Sequence, residues 1–168
     1  MIEVRWHARA GQGAKTAAQL LAEAMLRAGK SVQAFPEYGP ERRGAPMRAY
    51  TRIDDSPIRR HDSVASPDLV VVLDASLVRE NDVAEGLAED GLVIVNAEQA
   101  PPELAGLRVA CVPVASNVNV AMLGAVAAAL GEPPVEDVAD SVCALLGKKA
   151  DRRALRAAVE EGHACLSS

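Results

Sequence analysis

Aromatic residues are scarce in this chain of 168 residues: one Phe, one Trp and two Tyr make up 2% of it. Because 49% of the residues are nonetheless hydrophobic, the core has to be filled by Ala, Val and Leu, which suits helices packed closely on a sheet. Acidic residues outnumber basic ones by 23 to 18, for a formal net charge of −5. No overall basic field is available to neutralise phosphates, which argues against a nucleic-acid binder. The length predicts a single domain over residues 1–168.

The chain also has few cysteines, and neither a membrane helix nor an export signal is recognisable in its sequence. Cys111, Cys143 and Cys165 lie far apart without the spacing of a metal or iron–sulfur site, so we expect reduced thiols in the core and no bound metal. The longest nearly apolar run, 118–130, is shorter than the roughly 20 residues of a membrane helix. No signal peptide is recognisable at the N-terminus. These features predict a cytoplasmic protein that does not contact a membrane.

The order of apolar patterns predicts strands that alternate with helices. Ile2, Val4 and Trp6 alternate as in a strand, and after two glycines a helix is predicted over 14–28. This order predicts an α/β fold of three layers, Rossmann-like, in which helices flank a mixed but mostly parallel sheet. Strand 47–53 is expected to be antiparallel to its neighbours. The other predicted strands are 31–36, 68–74, 92–95 and 107–112, and the other predicted helices are 76–90, 118–130, 135–146 and 152–166.

The predicted helix 118–130 is apolar nearly all round. Such a helix is buried either inside its own fold or against another subunit. A domain of this size has limited room for the first arrangement alone, so the pattern favours a contribution from a second subunit.

The junction between the first strand and the first helix, residues 2–18, is the most informative stretch. The junction does not fit a dinucleotide fingerprint, which needs a third glycine at the position of Thr16. It does not fit a phosphate-binding P-loop either, because there is one residue too many before Lys15 and Ala8 occupies the position of the first glycine. The junction is then either a tight turn that needs small residues for packing, or a site for an anionic group or a partner loop. In the second case Gln12, Lys15 and Thr16 are the available donors.

Three further features each leave two interpretations open. Arg42 and Arg43 lie in the loop after strand 31–36. If that strand is a parallel neighbour of the first strand, this loop and the glycine turn share one edge of the sheet, and the arginines could face an anionic group there. Alternatively, the arginines are solvated or paired with acids of their own loop. Asn117 and Asn119 suit capping of the apolar helix or ligand binding. His7 is a base or, by preference, a structural histidine. No residue is assigned a catalytic role.

Several segments occur together in the order typical of one family. The chain resembles the gamma subunit of 2-oxoacid:ferredoxin oxidoreductases, in the group that acts on pyruvate and on branched-chain 2-oxoacids such as ketoisovalerate. It departs from the family's usual Gly-Arg-Gly-Gly-Gln-Gly turn by having Ala8 and Ala10 in place of two glycines. The segments that carry the resemblance are Ala10-Gly11-Gln12-Gly13, Tyr38-Gly39-Pro40-Glu41-Arg42-Arg43-Gly44, Arg52-Ile53-Asp54-Asp55-Ser56-Pro57-Ile58, Pro67-Asp68 and Asn119-Val120-Ala121-Met122-Leu123-Gly124.

The resemblance implies a complex that decarboxylates a 2-oxoacid on thiamine diphosphate, reduces ferredoxin through iron–sulfur clusters and transfers the acyl group to coenzyme A. Thiamine diphosphate, Mg²⁺ and the 4Fe-4S clusters would belong to the alpha, beta and delta subunits, and this chain would hold none of them and would be inactive alone. The form of the loop over 42–46 is closer to the pyruvate type than to the indolepyruvate or 2-oxoglutarate types.

The implied share of this chain is to pack on the thiamine-bearing subunits and to help form the coenzyme A side of the site. Two alternatives remain: a free-standing Rossmann-like nucleotide-binding protein, in which Glu37 imitates the acid that holds a ribose, and an assembly scaffold without ligand contact. The candidate residues for coenzyme A are Gly11, Gln12, Gly13, Lys15, Thr16, Tyr38, Arg42, Arg43 and Asn119.

Overall fold

Six strands form one mixed sheet in a computed structural model that describes residues 1–37 and 44–167. Their order is β2-β3-β1-β4-β5-β6, in which β1, β4, β5 and β6 are parallel and β3 is antiparallel to both β1 and β2. The expected α/β class and the antiparallel third strand are confirmed. The strands are β1 (Ile2–Arg9), β2 (Ser31–Pro36), β3 (Pro46–Asp54), β4 (Leu69–Val72), β5 (Leu92–Val95) and β6 (Arg108–Cys111).

The expectation that β1 and β2 could be direct neighbours is wrong, because β3 lies between them. Since both strands are antiparallel to β3, they still run in the same direction. Their carboxyl ends therefore reach the same edge of the sheet, so the loops that follow the two strands can meet there.

Helices cover the two faces of the sheet unequally. The helices are α1 (Ala14–Arg27), α2 (Leu77–Glu80), α3 (Val118–Leu130), α4 (Val135–Leu146) and α5 (Arg152–Ala164), with a 3-10 turn at Pro102–Leu104. The large core between sheet and helices contains α1, α3, α4 and α5, whereas a smaller core on the other face contains α2 and the 3-10 turn. The second covering layer is thus thin.

The helix predicted over 76–90 is wrong beyond Glu80. After α2, Asp82 Oδ1 accepts a hydrogen bond from the backbone N–H of Ala84 (3.2 Å), a local bond that competes with helix formation. Gly86 then takes a left-handed conformation (φ +72°), and its Cα packs against the carbonyl of Ala65. This segment therefore covers the sheet as an irregular loop.

The helix-facing side of β1 is apolar and fully buried. Val4, Trp6 and Ala8 are each 0% exposed. Trp6 Nε1 donates to Thr51 Oγ1 (3.1 Å), and that hydroxyl donates in turn to the carbonyl of Ala18 in α1 (3.1 Å). The one Trp of the chain thus has its polar atom satisfied while it fills the core between β1, β3 and α1.

The opposite side of β1 carries charge, and loops cover it. Arg5, which is 3% exposed, donates through Nη2 to the carbonyls of Val83 and Glu85. Arg52, on the adjacent β3 and 0% exposed, donates through Nε to Glu3 Oε1 (2.7 Å) and through Nη2 to the carbonyl of Asp62 (2.8 Å). Buried guanidinium groups therefore tether the loops that stand where a second helix layer would lie.

The nearly all-apolar helix α3 is buried inside its own fold, so the expected contribution of a second subunit is not needed to cover it. Every residue from 120 to 127 is buried, and α1, α4 and α5 all contact the helix. Glycine makes this possible, because the Cα of Gly162 in α5 packs on the carbonyl of Ala121 and the Cα of Gly124 packs on that of Val159. Small side chains let the helices approach more closely than large ones would.

The three cysteines differ in their exposure. Cys143 is buried and Cys111 partly buried, as expected, but Cys165 is exposed because it lies just after the end of α5. Among the described residues, no helix combines the length and apolar character needed to cross a bilayer.

The contact between α3 and α5 makes a stability prediction. A Cβ at position 162 would lie 1.7 Å from the carbonyl oxygen of Ala121, so Gly162→Ala has to push two helix backbones apart. We expect a net loss of about 2 kcal/mol in the free energy of unfolding, even though Ala is the better helix former. Urea denaturation measures it. Ala157→Met, which adds bulk to the exposed face of α5, is the control, and equal stability of Gly162→Ala and the parent would contradict the packing.

Candidate functional site

The turn between β1 and α1 is closed by its own side chain. Gly11 and Gly13 both have positive φ angles (97° and 88°), which favour glycine. Gln12 folds back so that its Oε1 accepts from the backbone N–H of Arg9 (2.7 Å). Ala8 and Ala10 replace the family's glycines without strain, because Asn117 is the one non-glycine residue with positive φ in the described part of the chain.

The loop that leaves β2 returns beside this turn. The backbone N–H of Ala10 donates to the carbonyl of Ala45 (2.8 Å), and the N–H of Gly44 donates to the carbonyl of Ala10 (3.3 Å). Arg9 Nη1 adds a bond to the carbonyl of Gly44 (3.3 Å). The two predicted loops thus meet at one edge, although Tyr38, Arg42 and Arg43 lie outside the described residues and their roles stay predictions.

Two helix N-termini meet at Gly13. This residue is the N-cap of α1, and a Cβ on it would lie 2.6 Å from Nδ2 of Asn119, in the first turn of α3. Among the described residues, neither helix receives a side-chain cap, and neither has an acid in its first turn. Both N-termini thus lie close together at Gly13 without a side-chain cap, and the partial positive charge that each carries suits an anion.

The capping role expected of Asn117 is wrong. Asn117 occupies the N-cap position of α3, but its side chain makes no capping bond. Its backbone is left-handed (φ 46°), and its carbonyl accepts from the N–H groups of Val120 and Ala121. The asparagine is tolerated in this conformation, which most residues with a Cβ avoid.

Two residues outside the predicted set organise this edge. Asp74, which follows β4, accepts from Gln12 Nε2 (2.9 Å) and from the N–H and Oγ of Ser76 (3.0 and 2.6 Å). Arg9 forms ion pairs with both Asp74 (3.3 Å) and Glu80. Burial opposes ionisation of Asp74, but the hydrogen bonds from Ser76 and Gln12, together with Arg9, leave its pKa below the usual value. The sequence signal that could have identified Asp74 is its position after a buried strand, at the edge where α/β sheets bind ligands.

The predicted donors differ in their availability. The amide of Gln12 is engaged inside the turn by Arg9 and Asp74. Lys15 is exposed and has no ion pair within residues 1–37 and 44–167, whereas Thr16 is partly exposed. The free positive charge of the turn is therefore on Lys15.

Comparison with known proteins assigns the fold to a family. The family model described as pyruvate ferredoxin/flavodoxin oxidoreductase matches residues 3–164. The chain belongs to this family. The expectation drawn from the sequence is thus confirmed for nearly the whole chain.

Relatives in this family match over nearly their full length. The chain is 44% identical to pyruvate synthase subunit PorC of Thermotoga maritima over 95% of this chain and 93% of that protein. It is 46% identical to the pyruvate/ketoisovalerate oxidoreductases common subunit gamma of Pyrococcus abyssi, over 96% and 97% of the two.

Two solved structures share the fold. The crystal structure of pyruvate oxidoreductase subunit PORC from Thermotoga maritima matches with a TM-score of 0.82 at 37% identity, covering 97% of this chain and 95% of that one. A 2-oxoglutarate:ferredoxin oxidoreductase from Magnetococcus marinus matches with a TM-score of 0.73 at 16% identity, covering 98% of this chain and 31% of that one. The second likeness concerns the fold alone.

His7 of this family member is a buried structural side chain. It is 3% exposed, and its Nε2 accepts from Arg5 Nε (3.1 Å), so the ring proton belongs on Nδ1. Burial, and then the positive charges of Arg5 and Arg48, lower its pKa to about 3. A neutral acceptor of this kind is not a general base near neutral pH, which favours the structural interpretation.

The lowered pKa of His7 predicts a pH dependence of stability. The unfolded chain binds a proton at His7 below about pH 6.5 while the folded chain does not until about pH 3, so acid favours unfolding. Between pH 6 and pH 5 we expect this residue to lower the free energy of unfolding by about 1 kcal/mol. Urea denaturation at both pH values should show this loss in the parent and a smaller one in His7→Gln. His61→Gln, at an exposed site, is the control, and equal losses in all three proteins would refute the assignment.

Proposed function

We propose that this chain is the gamma subunit of a multisubunit oxidoreductase that converts a 2-oxoacid, pyruvate or ketoisovalerate, to its acyl-coenzyme A with ferredoxin as electron acceptor. The proposal is supported by full-length relatives with pyruvate synthase and pyruvate/ketoisovalerate oxidoreductase names. It is also supported by the close match to a solved pyruvate oxidoreductase subunit.

The described residues offer no metal site for the cofactors of such an enzyme. Within the described residues, no three His, Cys, Asp or Glu side chains come together as a metal site. The three cysteines are spread over Cys111, Cys143 and Cys165, without the grouping that a cluster needs. We therefore assign thiamine diphosphate, Mg²⁺ and the 4Fe-4S clusters to alpha, beta and delta subunits, and the reaction to the assembled complex in the cytoplasm.

The contribution of this chain is the anion-friendly edge around Gly13, which we assign to coenzyme A. The observation that carries this assignment is the meeting of two uncapped helix N-termini beside Lys15, which has no acidic partner among the described residues. Coenzyme A brings phosphate groups, and backbone N–H groups with one lysine are the chemistry that binds them. The nearby carboxylates Asp74 and Glu80 both form ion pairs with Arg9, which offsets part of their negative charge.

The same edge distinguishes the proposal from its alternatives. An assembly scaffold gives no reason to leave two helix N-termini uncapped and Lys15 unpaired. A free-standing nucleotide-binding protein would need ribose contacts from the end of β2, but Glu37 accepts a hydrogen bond there from the hydroxyl of Tyr50. That carboxylate is already engaged within the fold.

Lys15→Ala tests the assignment. Removing an exposed lysine that contacts a phosphate costs about 1 kcal/mol, so we expect the KM for coenzyme A of the reconstituted complex to rise about fivefold. The KM for the 2-oxoacid and kcat should stay near the parent values, since the interaction is with coenzyme A. The rise should shrink at high salt, which screens the lost attraction.

Lys148→Ala is the matched control for this measurement. It removes the same charge from an exposed position just before α5. Because α5 runs antiparallel to α3, its N-terminal end points away from Gly13. An unchanged KM for coenzyme A in Lys15→Ala, or an equal rise in both variants, would contradict the assignment.

A further inference from the structure

We propose that Arg9 and Asp74 are positioning residues that hold the coenzyme A-binding turn in shape, and that Arg9 does not contact the ligand. This inference rests on the proposed function, because it concerns how the same edge is built. Arg9 is the conspicuous cation of the turn and would be the obvious candidate for an anion contact. Its contacts assign it another task.

The guanidinium of Arg9 joins three separate segments. It donates to the carbonyl of Gly44, where the loop from β2 returns (3.3 Å), and to Ser76 Oγ at the start of α2 (2.7 Å). It also forms ion pairs with Asp74 and Glu80. A single side chain thus holds the end of β1, the loop before β3 and the corner between β4 and α2 in one arrangement.

The positive charge of Arg9 is already engaged by carboxylates. Two carboxylates, Asp74 and Glu80, contact this one guanidinium, so the cluster as a whole is negative by one unit. A phosphate placed against Arg9 would have to displace these partners or accept their repulsion. Lys15 has no such partner within the described residues, which makes it the cation that is free for a ligand.

Asp74 is the acceptor on which the turn depends. Its Oδ2 receives both Gln12 Nε2 (2.9 Å) and Arg9 Nε (3.3 Å), while its Oδ1 receives the N–H and hydroxyl of Ser76. Gln12 in turn closes the turn onto the backbone of Arg9 (2.7 Å). An isolated ion pair at this exposure, about a quarter of each side chain, would contribute little. Four donors on one carboxylate form a network that fixes geometry.

Asp74→Asn tests the proposal because the two roles predict opposite signs. An amide cannot accept all four donors, so loss of positioning should raise the KM for coenzyme A about tenfold in the reconstituted complex. If the charge of Asp74 acted on the ligand directly, or restrained an Arg9 that binds it, removing that negative charge would lower this KM. In the positioning role, kcat and the KM for the 2-oxoacid stay within about twofold of the parent.

Arg9→Lys provides a second variant that keeps the charge. Lysine cannot reproduce the planar fork that reaches Gly44, Ser76 and Glu80 together, so the KM for coenzyme A should rise here as well. If this variant keeps the parent KM, the charge alone is sufficient and the clamp is refuted. Thermal denaturation of both variants shows that the complex remains folded at the assay temperature.

Asp140→Asn is the matched control. It removes the carboxylate of an ion pair between Asp140 in α4 and Arg156 in α5, and it should leave the KM for coenzyme A unchanged. A rise in Lys15→Ala without one in Asp74→Asn would overturn the clamp and leave the proposed function standing. No change in either would overturn the proposed function as well.

Discussion

Strand β1 has to bury a charged face as well as an apolar one. Val4 and Trp6 on one side meet helices, whereas Glu3, Arg5 and His7 on the other are nearly as inaccessible to water. Buried charges are tolerated when they are paired and hydrogen-bonded, and that requirement determines what lies over this half of the sheet. Loops with free carbonyls satisfy arginines as an apolar helix face could not, so the segments around Asp62 and Val83 lie there.

The charged face of β1 ends at Arg9, at the edge of the sheet, where the same requirement for pairing of charges applies. The last guanidinium of the series finds its acceptors at the ends of other segments, Gly44, Asp74 and Glu80. On the opposite face, the scarcity of large side chains lets α1 and α3 come together until Gly13 touches Asn119. Close packing of small residues on one face and pairing of charges on the other thus both shape the same edge of the sheet.

Much of this architecture follows from the sequence, because apolar periodicity reports local structure directly. The six strands and the three C-terminal helices are where the pattern places them, within a few residues. The insertion of β3 between β1 and β2 was not predictable, since the loop 37–45 allows either pairing. Burial of α3 was predicted, but that its own fold covers it without a second subunit was not, because this depends on Gly162, 38 positions from Gly124 in the chain, where a missing side chain lets two backbones meet.

The sequence indicated the edge of the sheet at which the two loops meet, but not which side chains are engaged there within the fold. The glycine turn and Lys15 were singled out by residue type, and Gln12 was predicted as a ligand donor. In the structure, Asp74, more than sixty residues away in the chain, accepts a hydrogen bond from the Gln12 amide. Partners so distant in sequence leave no local pattern. A structure of the complex, purified with this chain tagged and with coenzyme A bound, tests the central claim most directly. We predict coenzyme A phosphate density beside Lys15 and the N–H groups that follow Gly13; coenzyme A held by other subunits alone, with this edge facing solvent, would contradict the account.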